Sequence, residues 1–417
     1  MRRLWPVVPF SAILVATLRV DPGPARAQVS PGWYVIPRLG LAEEYDNNIN
    51  GASSGKKSDF ITRISPGVTF GYQSLPLTVL ASYSTGAELY GDNSDLDGFN
   101  RHAAGLTFGY LPNQRLTLSL GAAYTYSKST SGQAFFLPAA PPSAAAAPAP
   151  GATAPAATGA GATPPPATTP VIPGVNTGRR PTSQYAVAPS VSYQFDPLTS
   201  GSAAYAFSRS DVEGSPADNS HGLTLSANRQ LTPLDSGSLG YTFRYFDTEG
   251  SQPNEITSSH ALVLGYSRQL TQLASASVSA GPRINDNGDV NAEVSASVSY
   301  ALQLVAMSLA YSRTQDIVTG RQGAQTVDSV TGLVSWIITR ELSASLSPRV
   351  SFISADAGAG GDTTVYAVGA SLGYQINQWL SAQATYGFSY QDETGSNDIT
   401  RHVVTLGLVA AYPFRVY

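Results

Sequence analysis

The chain has 417 residues, 12% charged and 42% hydrophobic, with no cysteine, four histidines and two methionines. Lack of cysteine excludes disulfides, Cys-ligated zinc, iron–sulfur clusters and thiol catalysis; no cofactor is expected. Residues 1–27 hold four of the 24 basic residues and one of the 28 acidic ones, leaving 20 basic against 27 acidic groups beyond them, a balance that argues against a nucleic-acid partner, which needs a basic surface.

The first predicted element is an export signal over residues 1–27. Arg2 and Arg3 precede a mostly apolar run from Leu4 to Leu18, and Ala25-Arg26-Ala27 supplies a small-x-small cleavage pattern. An ordinary buried helix is the alternative, opposed by Pro6 and Pro9. No later apolar run reaches 18 residues, so no transmembrane helix is expected.

From Trp33 onward, period-two alternation predicts strands near 34–46, 59–72, 76–90, 98–111, 115–128, 182–195, 200–211, 219–231, 237–248, 257–270, 274–285, 290–302, 306–318, 325–338, 342–355, 363–376, 380–393 and 398–414. In one of them Leu116, Leu118, Leu120, Ala122, Tyr124 and Tyr126 alternate with Arg115, Thr117, Ser119, Gly121, Ala123, Thr125 and Ser127. One face is aliphatic and ends in aromatics; the other is small, polar and weakly charged. Segments of this kind describe a transmembrane β-barrel, and a closed barrel leaves no unpaired edge in lipid. The expected fold is therefore all-β, an antiparallel up-and-down transmembrane barrel over residues 28–417, with 18 strands and a range of 16–20.

Connections alternate between short turns and longer, acidic segments such as Asp92, Asp95 and Asp97. The asymmetry predicts short periplasmic turns, longer outer loops and both termini on the short-turn side. Residues 129–180 break the pattern: they are dense in Ala and Pro and uncharged up to Gly178. They are expected to form a disordered or polyproline insertion that emerges outside or folds into the lumen, either a tolerated insertion or a functional arm. A repeat offset by 39 residues aligns the segment opened by His221 with that opened by His260. It suits duplicated hairpins, and propeller blades as the alternative. Pro37, Pro66, Pro189, Pro282 and Pro348 fall mid-strand, where local bulges are expected to absorb them.

Parity places Arg38, Arg63, Arg115, Arg244, Arg283 and Arg349 in the lumen with Glu44, Glu88 and Glu293. These are the candidate pore-lining residues. Two readings stand: fixed positive charge that favours anionic solutes, or internal Arg–Glu pairing that only braces the wall. Abundant Ser and Thr hydroxyls would also suit neutral or acidic sugars. His102, His221, His260 and His402 share the apolar phase, which puts them on the outward rim, unable to converge on a nucleophile or metal. No base–nucleophile or paired-carboxylate constellation appears, so no enzyme is expected. The Asp92–Asp97 segment lacks EF-hand spacing and reads as a solvated loop rather than a calcium site.

The stretch Ile36-Pro-Arg-Leu-Gly-Leu-Ala-Glu-Glu-Tyr-Asp-Asn-Asn48, followed by Asp59-Phe-Ile-Thr-Arg-Ile-Ser-Pro-Gly-Val68, resembles outer-membrane β-barrel porins of Gram-negative bacteria that often accompany exopolysaccharide export loci. The likeness covers residues 33–417, the Ala/Pro insertion excepted, and brings no catalytic residues. It implies a conduit or export accessory for saccharides or small solutes, with polysaccharide export components as partners beside outer-membrane lipid and lipopolysaccharide. A structural or interaction barrel with a closed lumen is the alternative. The aromatic end at Tyr417 is similar to the signal read by the outer-membrane assembly machinery, although Pro413 and Arg415 interrupt its alternation.

Overall fold

The computed structural model describes residues 32–74, 76–128, 175, 178–249, 255–355, 361–395 and 397–416. The expected signal segment lies outside them, as does most of the Ala/Pro-rich stretch. The strands are β1 (Gly32–Asp46), β2 (Asp59–Gln73), β3 (Leu77–Tyr90), β4 (Gly98–Asn113), β5 (Leu116–Ser127), β6 (Thr182–Asp196), β7 (Thr199–Val212), β8 (Ala217–Gln230), β9 (Asp235–Glu249), β10 (Glu255–Gln269), β11 (Ala274–Asn285), β12 (Val290–Ala301), β13 (Val305–Ile317), β14 (Ala324–Ile337), β15 (Leu342–Ala355), β16 (Thr363–Asn377), β17 (Leu380–Glu393), β18 (Ile399–Ala411) and β19 (Phe414–Val416). Among the described residues the only helical element is a single turn, Ser94–Leu96.

Each strand from β1 to β17 pairs antiparallel with the next, and β1 pairs with both β18 and β19, which closes the sheet. Trp33–Val35 face Phe414–Val416, and Arg38–Asp46 face Val403–Ala411, in a single register. β18 and β19 are therefore one stave interrupted at Tyr412-Pro413, and the barrel has the expected 18 staves. Turns of two to four residues occupy the end where β1 begins and β19 finishes; the loops at the other end are mostly longer.

A single closed sheet can bury a side chain only on its inner side. On β1, Glu44 and Asp46 are 3% and 1% exposed, while Leu39, Leu41 and Tyr45 between and below them are exposed. The same split runs round the wall, with Leu223 and Leu225 or Leu262 and Leu264 outside, and Ser, Thr and Gly inside.

The five mid-strand prolines do not sit at bulges, contrary to expectation. Each keeps full pairing with one neighbour and opens a two-residue gap towards the other, with register unchanged across the gap. Pro348 faces Val368 on β16, while towards β14 the ladder skips from Thr331–Arg349 to Val334–Leu346. Pro66, Pro189 and Pro282 behave alike, and Pro37 faces the Tyr412-Pro413 interruption. The physical reason is that a strand residue directs its N–H and C=O to one side only, so the missing N–H costs rungs on that side alone. The prolines themselves are exposed on the outer face.

Part of the expected insertion is packed rather than loose. Val175 is 4% exposed. The Arg179 guanidinium donates to the Tyr90 hydroxyl at 2.7 Å and lies 4.8 Å from the Tyr90 ring centroid. Positions 129–174, 176 and 177 lie outside the described residues.

Candidate functional site

Buried apolar side chains gather inside the barrel at the long-loop end, where a hairpin tip meets the inner face of the wall. β12 pairs with β13 only as far as Val294–Arg313, whereas β13 and β14 stay paired up to Ile317–Ala324. Without an outer neighbour, the β13–β14 tip bends across the mouth. Ile317 and Ala324 pack on Phe246 of β9. Thr319 Oγ1 accepts from Gln184 Nε2 of β6 at 2.7 Å and from Ser210 Oγ of β7 at 3.1 Å. The Gly323 N–H donates to Asp218 Oδ1 of β8 at 3.1 Å, and Arg283 of β11 donates to Thr326 Oγ1 at 2.8 Å. The Val175 N–H donates to the Thr319 carbonyl at 3.0 Å, and Val175 joins Val318, Val327, Ile353 and Val365 in a buried cluster. The bend overrides strand parity: Gln315, Ile317, Ala324 and Thr326, in the outward phase, are all buried.

Beside this seal stands a charged network on β18 and β1–β4. Arg63 pairs with Glu44 and, at 3.2 Å, with Glu88. Arg101 Nε donates to Glu88 Oε1 at 2.7 Å, and the Tyr90 hydroxyl and Asn100 Nδ2 donate to Glu88 Oε2 at 3.0 and 3.3 Å. A bulge makes this convergence: Gly86 faces Arg101 and Ala87 faces Phe99, so Asn100 is the extra residue and both Asn100 and Arg101 reach Glu88. Arg401 Nη2 and Nε donate to Asp46 at 2.6 and 3.0 Å, with both side chains buried.

The conspicuous Glu44–Asn48 motif thus lies at the barrel seam. Glu44 accepts from Thr405, Asp46 holds Arg401, Asn47 exchanges backbone and side-chain bonds with His402, and Asn48 Nδ2 donates to the Thr400 carbonyl.

Of the other charged residues expected in the lumen, Arg244 and Glu293 form a two-bond pair at 2.8 and 2.5 Å. Arg283 is fully buried under the hairpin, and Arg349 Nε donates to Ser351 Oγ at 3.0 Å. Arg38 keeps the inward phase and is exposed, with no ion pair among the described residues. Arg115 departs from expectation: it sits in the Gln114-Arg115 turn between β4 and β5, exposed, because β5 begins one residue later. Sequence reasoning passed over Asp46, Arg101 and Arg401. Their signal was present, since Arg101 and Arg401 precede histidines already assigned outward.

The histidines face outward on four separate hairpins. Each ring Nδ1 meets a tyrosine hydroxyl of the preceding strand: Tyr83–His102 at 3.0 Å, Tyr205–His221 at 2.7 Å, Tyr241–His260 at 2.8 Å and Tyr386–His402 at 3.0 Å. Among the described residues no group of three or more His, Asp or Glu side chains is arranged to hold a metal. The Asp59 carboxylate caps the Asp92 and Asn93 N–H groups at 3.0 Å each.

The other half of the lumen is different. Towards the short turns, inward-facing Arg38, Thr107, Thr224, Asn228, Ser297, Thr331 and Ser343 are exposed, so water reaches this part of the interior. Its hydroxyls pair across neighbouring strands: Ser119–Ser190 at 2.6 Å, Ser202–Ser226 at 2.7 Å, Ser236–Ser267 at 2.6 Å and Ser345–Ser371 at 2.7 Å.

The chain matches no family model and no curated protein. It is similar to several solved bacterial structures. OccK7 (OpdD) of Pseudomonas aeruginosa is 11% identical with a TM-score of 0.46, covering 93% of this chain and 100% of that one. The outer membrane protein opdK of the same organism is 11% identical with a TM-score of 0.45, covering 91% and 99%. OccAB4 of Acinetobacter baumannii is 10% identical with a TM-score of 0.43, covering 92% and 98%. Likenesses at this level say nothing of what this barrel carries.

Proposed function

We propose that the chain is an outer-membrane barrel that acts as a porin-like conduit for small hydrophilic solutes, saccharides among them, without covalent chemistry. The observation that carries this reading is the inversion of the wall, apolar outside and hydroxyl-lined inside. Outward positions between His221 and Arg229 are Leu223, Leu225 and Ala227, and those between His260 and Arg268 are Leu262, Leu264 and Tyr266. Eight residues of strand at ~3.4 Å each, tilted by ~40°, rise roughly 20 Å, close to the ~25 Å apolar band of such barrels. A soluble protein leaves no band of that continuity exposed.

Six inward arginines against three glutamates suggest a weakly anion-favouring or unselective lumen, and the pairing favours the unselective end. Glu44, Glu88, Asp46 and Glu293 stand against Arg63, Arg101, Arg401 and Arg244. The reading is of a nearly unselective passage, with the acidic loops acting at most over a Debye length of ~8 Å.

The sealed mouth favours a second reading, a structural or interaction barrel with a closed lumen. The two differ in whether the β13–β14 tip moves. Liposome swelling in isotonic neutral sugar separates them: uptake supports the conduit, and no uptake by correctly folded protein, even with the tip shortened, supports the closed barrel.

A further inference from the structure

The β11–β12 hairpin carries a feature found on no other among the described residues: three consecutive rungs of paired serines on its inner face. Ser275 faces Ser299, Ser277 faces Ser297 and Ser279 faces Ser295. Their hydroxyl oxygens lie 2.7, 2.8 and 2.6 Å apart. Successive rungs on one face stand two residues apart, ~6.8 Å along the strand. Ser277, Ser295, Ser297 and Ser299 are exposed in the water-reached half of the lumen. Above the top rung the same two strands carry Arg283 and Glu293, under the hairpin that seals the mouth.

We propose that these six serines form a rail along which neutral polyhydroxylated solutes move, and that it sets the preference of the conduit. The inference rests on the conduit reading above. In each pair one hydroxyl hydrogen is used internally, which leaves one further donor and several lone pairs facing the lumen. An empty rail is already satisfied, so it carries no penalty for unpaired groups. A solute hydroxyl can exchange into a pair and then into the next, because the alternatives are equivalent and neutral. A charged solute finds no countercharge on the rail and has to leave its water behind. The outward sides of the same strands, Ala276, Val278 and Ala280 against Ala296 and Val298, are plain wall, so the serines can be changed without touching the exterior.

The test uses full-length barrel in liposomes, in a background whose β13–β14 tip is shortened so that the mouth is open. One variant replaces Ser275, Ser277, Ser279, Ser295, Ser297 and Ser299 with Ala. A control replaces Ser119, Ser190, Ser202, Ser226, Ser345 and Ser371 with Ala. Potassium chloride current and swelling rates in sorbitol and raffinose are measured for each. The expected result is a several-fold fall in sorbitol and raffinose entry for the rail variant, with ion current unchanged and the control close to the parent. Unchanged polyol entry in the rail variant overturns the rail and leaves the conduit standing, as does an equal fall in the control. Absence of ion current in all three overturns the conduit, and the rail with it.

Discussion

At the short-turn end the inward side chains are mostly Ser, Thr and Gly, many of the serines bonded to one another, and water reaches them. At the long-loop end the same wall encloses Phe246, Ile317, Val318 and Val327, all buried. The difference shows how a polar cylinder is closed. Its inward phase offers a few apolar side chains at this end, Phe246, Val327, Ile353 and Val365, and the hairpin tip and Val175 supply the partners that cover them. Polar groups brought along are satisfied individually, as Thr319 is by Gln184 and Ser210, because leaving one unmade inside costs ~1–3 kcal/mol.

The largest effect is expected from removing the seal. Replacing residues 316–325 with Asn-Gly, a two-residue hairpin turn, should turn a mostly silent barrel into a steadily conducting one in planar bilayers. Loss of the buried Ile317 alone is worth ~2–3 kcal/mol, roughly 30- to 160-fold in open population. A shortened barrel as silent as the parent would mean that the lumen is blocked elsewhere.

Next comes the seam. Asp46→Ala removes the carboxylate from buried Arg401, which should destabilise the barrel by about 3–5 kcal/mol. Detergent unfolding followed by gel mobility would register it. Replacing both residues with Leu should recover much of the loss, whereas conductance per folded barrel should not change.

The prolines offer a smaller lever on the wall between the two ends. Pro348→Val can restore a missing rung towards β14, a gain of ~0.5–1.5 kcal/mol, read as a higher unfolding midpoint in the same assay. No gain would show that the gap is held open by the wall's curvature rather than by the missing N–H.

Least should come from charge. Arg38→Ser removes an exposed inward cation that has no ion pair among the described residues, and should move the reversal potential in a salt gradient a few millivolts towards cations. Arg349→Ser should do no more. A strong shift from either would restore the anion-selective reading.

Most of the wall was legible in the sequence. Strict alternation with turn residues at hairpin spacing fixes strand number, register and facing, because a one-residue slip would turn every leucine inward. That is why Arg63, Glu44 and Glu88 could be assigned to the inner face, although which of them pair was left open. Arg115 was misplaced for the converse reason: parity is meaningless once a residue leaves the ladder. The seal was illegible because Gln315, Ile317, Ala324 and Thr326 obey strand parity in sequence and break it in space. Only the length mismatch between the β11–β12 and β13–β14 hairpins marks the bend. The apolar pair Ile317-Val318 at the tip of an otherwise polar loop was the available hint.

A conduit needs the β13–β14 tip to act as a movable seal over an aqueous lumen. The chain has no cysteine, and the Ser210 and Thr319 side-chain oxygens are 3.1 Å apart, so a Ser210→Cys, Thr319→Cys variant can place a disulfide between tip and wall. Single-channel recording before and after reduction decides whether it does. A barrel with a movable tip is silent while the disulfide is intact and opens intermittently once it is reduced. Equal currents in both states, or silence in both, would contradict it.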